Sequence, residues 1–229
     1  VTVDFAYKLM KFIINKDQNG YLSPDDFNTI INQAQFSLLD YLCGQFQTYQ
    51  VGRPISKVQF GMNETARQRL TPFINELTNL EIDNTGFAAY PPAYQQMDAM
   101  FDSTKKNRIR FVPQHKLYSY LNSVIDPVVS NPIYIIVNNG FIFYPNSVQN
   151  GVTLGIAYIS YVSTPPPITW AYIPDANGRP VYDPSHSNDP LWYDVDMLDI
   201  ISRALKMVGV NLESPLISQY AGQIIQAGQ

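Results

Sequence analysis

The sequence predicts an α+β fold: helices from the two chain ends form one layer, and a mainly antiparallel β region is inserted between them. Three observations carry this. Apolar residues recur at helical spacing toward both ends of the 229-residue chain. Between them lie runs rich in Val, Ile, Thr and Tyr, set apart by Asn-Gly and proline turns. Helix start and stop signals bracket the outer segments only. On this reading residues 1–104 and 190–229 form the helical core, and residues 105–189 form the β-rich insertion with hairpins and extended arms.

From Val3 to about Ile14, the residues Phe5, Leu9, Phe12 and Ile13 form an apolar stripe. A second helix follows from Ser23 to about Phe46. Ser23 is its N-cap, Pro24 its first residue, and Asp25 and Asp26 face the positive end of the dipole. Its stripe is Phe27, Ile30, Ile31, Ala34, Leu38 and Leu42. Asn63 can cap a third, short helix that Pro72 ends, and a further short helix is expected around Tyr94 to Phe101.

The pattern then changes. Arg108 to Val112 alternates basic and apolar residues, as a strand with one wet face does. Ile133–Val137 and Phe141–Tyr144 flank a turn at Asn138–Gly140, which reads as a hairpin. Gly151 to Ser163 is another strand, Thr164 to Pro167 a stiff connector, and a second small hairpin centres on Asn177 and Gly178. Near the end Leu198, Ile201, Leu205 and Val208 form a stripe that Gly209 terminates. Ser214 and Pro215 then open a last helix with Leu216, Tyr220 and Ile224.

Composition narrows the function. Charged residues make up 15% of the chain, against a usual ~25%. Asn, Gln, Ser, Thr and Tyr fill the polar surface instead, which suits lasting contact with other proteins. A net charge of −4 gives the whole molecule no attraction for nucleic acid. One cysteine, Cys43, allows neither an internal disulfide nor a cysteine zinc site. No apolar run nears the ~20 residues of a membrane span. Asp4, Lys8 and Lys11 interrupt any secretion leader, so a protein made in a reducing cytoplasm is expected.

The sharpest ligand-like motif is Asn15 to Asp26. Its oxygen spacing and Gly20 follow the EF-hand pattern, with Asp17, Asn19 and Asp26 as ligands. The residue types fit less well. Asn15 stands where an aspartate belongs, Asp26 is one methylene shorter than the bidentate glutamate, and Lys16 adds positive charge. A metal-free corner between two helices is the reading adopted, and a calcium-binding interaction module is the alternative.

Other constellations point away from catalysis. His186 has Asp183, Ser185 and Asp189 nearby, a hydrolase-like grouping, but no nucleophile elbow is present. Phosphate-binding glycine loops are missing from the sequence. Asp194, Asp196 and Asp199 stand at a helix head, where the dipole accounts for them. Lys105, Lys106, Arg108 and Arg110 make a short basic face without a partner cluster. No catalytic, metal or cofactor residue is assigned, and no cofactor is expected.

Several stretches, in order, carry a resemblance: "MKFIINKDQNGYLSPDDFNTIINQAQ", "RLTPFINEL", "GFAAYPPAY", "NPIYIIVNNGFIFYP", "YVSTPPPITWAYI" and "YDVDMLDIISRALKMVGVNLESPLISQYAGQ". Together they resemble the head–tail connector or ring (adaptor) proteins of tailed bacteriophages, of the crAss-like podovirus type. The resemblance implies a non-catalytic structural protein of the virion, assembled in the host bacterial cytoplasm. It implies a ring of roughly twelve copies between portal and tail, closed by head-to-tail contacts. Its partners would be itself, the portal and other neck or tail proteins, with DNA passing through the channel unbound. The acidic balance suits such a conduit.

With 16 tyrosines and 12 phenylalanines, the chain is rich in residues favoured at interfaces. The β region, Pro132 to Asp183, is therefore expected to supply much of the contact surface. Its candidate residues are Tyr134, Phe143, Tyr144, Tyr161, Pro166, Trp170 and Tyr172.

Overall fold

A computed structural model describes residues 1–16, 21–45, 57–104, 107–121, 126–146 and 154–209. It has the α+β architecture: α1 (Val3–Lys16), α2 (Pro24–Gln45), α3 (Lys57–Leu70), α4 (Gln114–Leu121) and α5 (Asp194–Val208), with nine strands between α3 and α5 among the described residues. These residues divide into two compact units. One is drawn from Val1–Gln47, Val51–Pro72 and Pro165–Gln229, the other from Phe73–Thr164.

The helical unit is held together by α2, which packs against both α3 and α5, while α1 also packs on α5. The first and last described helices thus share one layer, and the Val3 N–H donates to Asp189 Oδ1 at 2.8 Å. On α2 the stripe residues Phe27, Ile31, Ala34, Leu38 and Leu42 are buried as the spacing predicts, and Ile30 is half-buried. Ser23 is its N-cap, since Ser23 Oγ accepts the Asp26 N–H at 3.1 Å and donates to the Asp26 carboxylate at 2.6 Å.

On α1 and α5 the expected stripe is displaced. α1 buries Val3, Ala6, Tyr7, Met10 and Ile14, leaving Phe5 and Phe12 exposed. α5 buries Met197, Ile200, Ile201, Ala204 and Leu205 and leaves Leu198 exposed. Both helices are apolar on more than one face, so periodicity alone does not choose between them. α5 stops at Gly209, whose φ of 89° is left-handed and whose N–H returns to Leu205 and Lys206 carbonyls. The helix expected after Ser214 lies outside the described residues.

The other unit contains two sheets. β7 (Ile156–Ser163) is the centre of a three-stranded antiparallel sheet between β1 (Ile74–Glu81) and β3 (Tyr94–Asp102). The second sheet runs β2 (Phe87–Ala89), β6 (Gly140–Tyr144), β5 (Ile133–Val137) and β4 (Arg110–Phe111), with only β4 parallel to its neighbour. One core joins Leu80, Met100, Tyr134, Phe141, Phe143, Ile159 and Tyr161. A second cluster, Val112, Leu117, Ile133 and Ile135, brings α4 onto the opposite face of β5. β5 is consequently covered on both faces over Ile133, Tyr134 and Ile135, which explains the first part of its apolar run, while Ile136 is exposed. Gly140 is required where β6 meets β2: a Cβ there would lie 2.1 Å from the Ala88 carbonyl oxygen.

Two expectations are corrected here. Tyr94–Asp102 is strand β3, not a helix, because pairing along β7 overrides the helix preference of Gln, Met and Ala. The units meet in sequence near Phe73 and Thr164, not at 105 and 189. The sheet unit claims β1 to β3, and residues from Pro165 onward return to the helices.

Candidate assembly surfaces

The segment Pro165–Ala171 is an extended strap held from both sides. In extended backbone, successive carbonyls point in opposite directions, and the two sides find different partners. Even-numbered residues face three amides of α2. Asn28 Nδ2 donates to the Trp170 carbonyl at 3.2 Å, and its Oδ1 accepts the Trp170 N–H at 2.7 Å. Asn32 repeats the exchange with Ile168, at 2.7 and 2.9 Å. Gln35 Nε2 reaches the Pro166 carbonyl at 3.2 Å.

Geometry explains this ladder. Four helical residues advance ~6 Å and two extended residues ~6.6 Å, so amides one turn apart meet alternate strap residues. The prolines help, since Pro165, Pro166 and Pro167 have no N–H to satisfy. Gln35 is fully buried, and its Oε1 accepts the Trp192 indole N–H at 3.2 Å.

Odd-numbered residues face the loop 183–188. Asn188 Nδ2 donates to the Pro167 carbonyl at 2.6 Å, and Thr169 and Asn188 exchange backbone bonds at 3.2 and 2.8 Å. Ser187 Oγ accepts the Ala171 N–H at 2.9 Å.

This loop contains the hydrolase-like grouping, and its wiring is structural. Asp183 accepts from Ser185 N–H at 3.0 Å, from Ser185 Oγ and from His186 Nδ1 at 2.6 Å. A triad needs the serine hydroxyl on the histidine; here the Ser185 hydroxyl donates to Asp183 itself. The Ser185 hydrogen bonds, followed by that of His186, pull the Asp183 carboxyl down to about 2. The same use of aspartate recurs at Asp83, Asp102 and Asp175, each accepting from the backbone of the turn after it.

Beyond the strap, β8 (Tyr172–Pro174) and β9 (Pro180–Tyr182) form a two-stranded arm. Trp170 anchors it. The indole packs on Tyr7 at 4.3 Å, stacks with Tyr172 and Tyr182 at 6.0 and 5.7 Å, and donates to Asp4 Oδ1 at 3.2 Å. Alternation puts Ile173 and Val181, directly opposite each other, on the other face. They are 59% and 53% exposed. Pro174 stands opposite Pro180, so the arm's edges have few free N–H groups.

A second exposed apolar surface lies along α5. Val195 and Leu198 are 76% and 55% exposed, next to exposed Leu191 and Tyr193. They border an open groove of about 640 Å³ whose polar wall is Arg69, Asp196 and Asp199. Arg69 pairs with Asp196, which is buried, and with Asp199 at 2.9 Å. Burial lowers the guanidinium pKa, and the two carboxylates more than offset it, so the net shift is upward. The Asp194–Asp199 cluster therefore does more than face the helix dipole.

The seven expected interface residues separate. Tyr134, Phe143 and Tyr161 belong to the sheet core and Trp170 to the strap anchor, all at most 6% exposed. These four are corrections. Each sits on the inward side of its strand or strap, and a one-residue change of register is all that separates inside from outside. Tyr144 is half-buried at a cleft of about 400 Å³ with Phe87, Leu117 and Ile142. Pro166 and Tyr172 are exposed. Ile173, Val181, Val195 and Leu198 were missed by sequence reasoning, although alternation from Tyr172 signals the first.

Of the Asn15–Asp26 loop, residues 17–20 lie outside the described residues, as do Lys105 and Lys106 of the basic cluster. Among the described residues, no group of three or more His, Cys, Asp or Glu is placed to hold a metal, and no helix is long and apolar enough to cross a membrane. The chain matches no protein-family model and no curated protein.

Proposed function

We propose that this chain is a structural virion protein, a head–tail connector (adaptor) that forms an oligomeric ring between portal and tail around the DNA channel. The observation that carries the reading is the arm. A strap fixed by side-chain hydrogen bonds from both sides holds the arm in one orientation and presents Ile173 and Val181 to water. Pre-ordering of this kind reduces the entropy lost on docking. The ordered series of resembling motifs points to the same class. A net charge of −4 suits a wall that must let DNA slide past.

The reading is tested by imaging. Purified particles should contain the chain in many copies, and a label on it should map to a ring at the neck. Particles that lack the chain, or carry it on the capsid surface, rule the proposal out.

A further inference from the structure

We infer that the β4–α4 face of the sheet unit is a sequence-independent contact for the DNA backbone, with Arg108, Arg110 and Lys116 as its phosphate-binding residues. The inference rests on the ring reading above and turns this face toward the channel.

The positive charge is local. The whole chain is acidic, at −4, but residues 103–125 contain five of its fifteen Lys and Arg and none of its Asp or Glu. Counted with the bracketing Asp102 and Asp126, the stretch still has a net charge of +3. Asp102 is buried and turned to Thr104 and Asn107, whose side chains each donate to its carboxylate at 2.8 Å. Arg108, Arg110 and Lys116 are exposed. Among the described residues none of the three has an ion-pair partner, whereas Lys8 and Arg69 are held by carboxylates. Arg110 donates to the neutral side chain of Asn131 at 2.8 Å.

Topology puts these cations on one side of the sheet. Arg108 and Arg110 flank Ile109, which is buried in the sheet core, so alternation sends both side chains to the other face. Val112, two residues on, packs with Ile133, Ile135 and Leu117 of α4. α4 therefore covers the side that carries the two arginines, and it exposes Lys116 beside the buried Leu117. Exposed Gln114 and Ser119 add uncharged donors, which also serve phosphate oxygens.

DNA fits this face better than an acidic protein does. A duplex presents about one charge per 1.7 Å of axis and releases counterions at each cation it meets. In a ring around the channel, it is also the polyanion that every copy faces. Three contacts per copy are few, so the binding is weak and lets the duplex slide.

The test follows the fluorescence anisotropy of a short labelled duplex with the full-length protein in rising salt. With three phosphate contacts the slope of log K against log salt should be near −2.7, about a 500-fold loss per tenfold rise in salt. Arg108→Gln, Arg110→Gln and Lys116→Gln should each make the slope shallower by about 0.9, and Arg110→Lys should keep the wild-type slope. The Lys116 side chain makes no hydrogen bond or ion pair among the described residues, so its variant tests charge alone. Circular dichroism verifies the fold of each protein. No binding at low salt, or an unchanged slope in the triple Gln variant, overturns the inference. So does polyglutamate of equal charge binding as tightly as the duplex, which would assign the face to an acidic protein. The chain's position in purified particles tests the ring reading separately, and either result can fail while the other stands.

Discussion

Asn32 and Ile168, 136 residues apart, exchange two hydrogen bonds: the side-chain amide of one serves both backbone groups of the other. The same amide donates to the Asn28 carbonyl and accepts from Gln35, both at 2.7 Å, so its donors and acceptors are fully used. Asn32→Ala strands two strap groups and should cost about 2–4 kcal/mol, read from urea unfolding. Asn32→Asp restores the acceptor but aims a carboxylate at the Ile168 carbonyl. Its deficit should shrink from pH 7 to pH 4 as protonation restores a donor; a deficit independent of pH contradicts the ladder.

Asp183 makes stability acid-sensitive. Its folded pKa is depressed to about 2 by Ser185 and His186, so its contribution is complete above the unfolded value of about 3.9 and is lost as pH falls toward 2. Melting temperatures of wild type and Asp183→Asn should differ at pH 5 and converge near pH 2. A constant gap would show that the carboxylate's charge is irrelevant to the brace.

Tyrosines govern the alkaline side. Burial raises Tyr134 to about 12, and burial with the neighbouring Tyr21 raises Tyr7 to about 12; burial raises Tyr94 as well. Raised folded values mean their contribution is complete below about 10 and fades as pH climbs to about 12. Ultraviolet titration should therefore show a group of tyrosines ionising together with unfolding between those limits. Ionisation of all sixteen near pH 10 with the fold intact contradicts the packing.

Arg69 keeps Asp196 from being a lone buried charge. Arg69→Ala should destabilise by about 2–3 kcal/mol, below the full range for a broken buried pair because the guanidinium is one-quarter exposed. Arg69→Ala with Asp196→Asn should recover part of the loss. No recovery in the double variant would mean that the arginine acts by packing alone.

Ser23→Ala should cost around 1 kcal/mol through the lost α2 cap. The loss should be equal with and without a chelator. A wild-type melting point that falls on chelation revives the calcium reading of Asn15 to Asp26.

Much of the helical layer was legible because its signals are local. The α2 stripe, the Ser23 cap, the Gly209 stop and the turn at Asn177–Gly178 each depend on neighbours a few residues away. β1 and β3 were not legible. Their sequences, INELTNLE and YQQMDAMFD, are polar or helix-favouring, and pairing with β7 decides their state. The burial of Tyr161 is likewise set by register with distant strands, and that of Tyr134 and Phe143, paired within the predicted hairpin, by the distant residues Met100, Ile159 and Tyr161 in the same core. The ladder did leave a trace: Asn28, Asn32 and Gln35, polar residues one turn apart, interrupt the apolar surface of α2.

The strap also fixes an order of events during synthesis. Asn28, Asn32 and Gln35 emerge early, but their partners are 131 to 142 residues downstream. At ~5–20 residues per second, roughly 7 to 28 s pass before the ribosome has made them. Through that interval the early helices await their cover, while residues 73–164, contiguous in the chain, acquire all the strands of their two sheets before the strap is made. The sheet unit is thus free to fold first. The helical layer closes last, when the strap and α5 arrive, so a chain cut short before Pro165 exposes the apolar surface of α2 and offers a ready target for degradation.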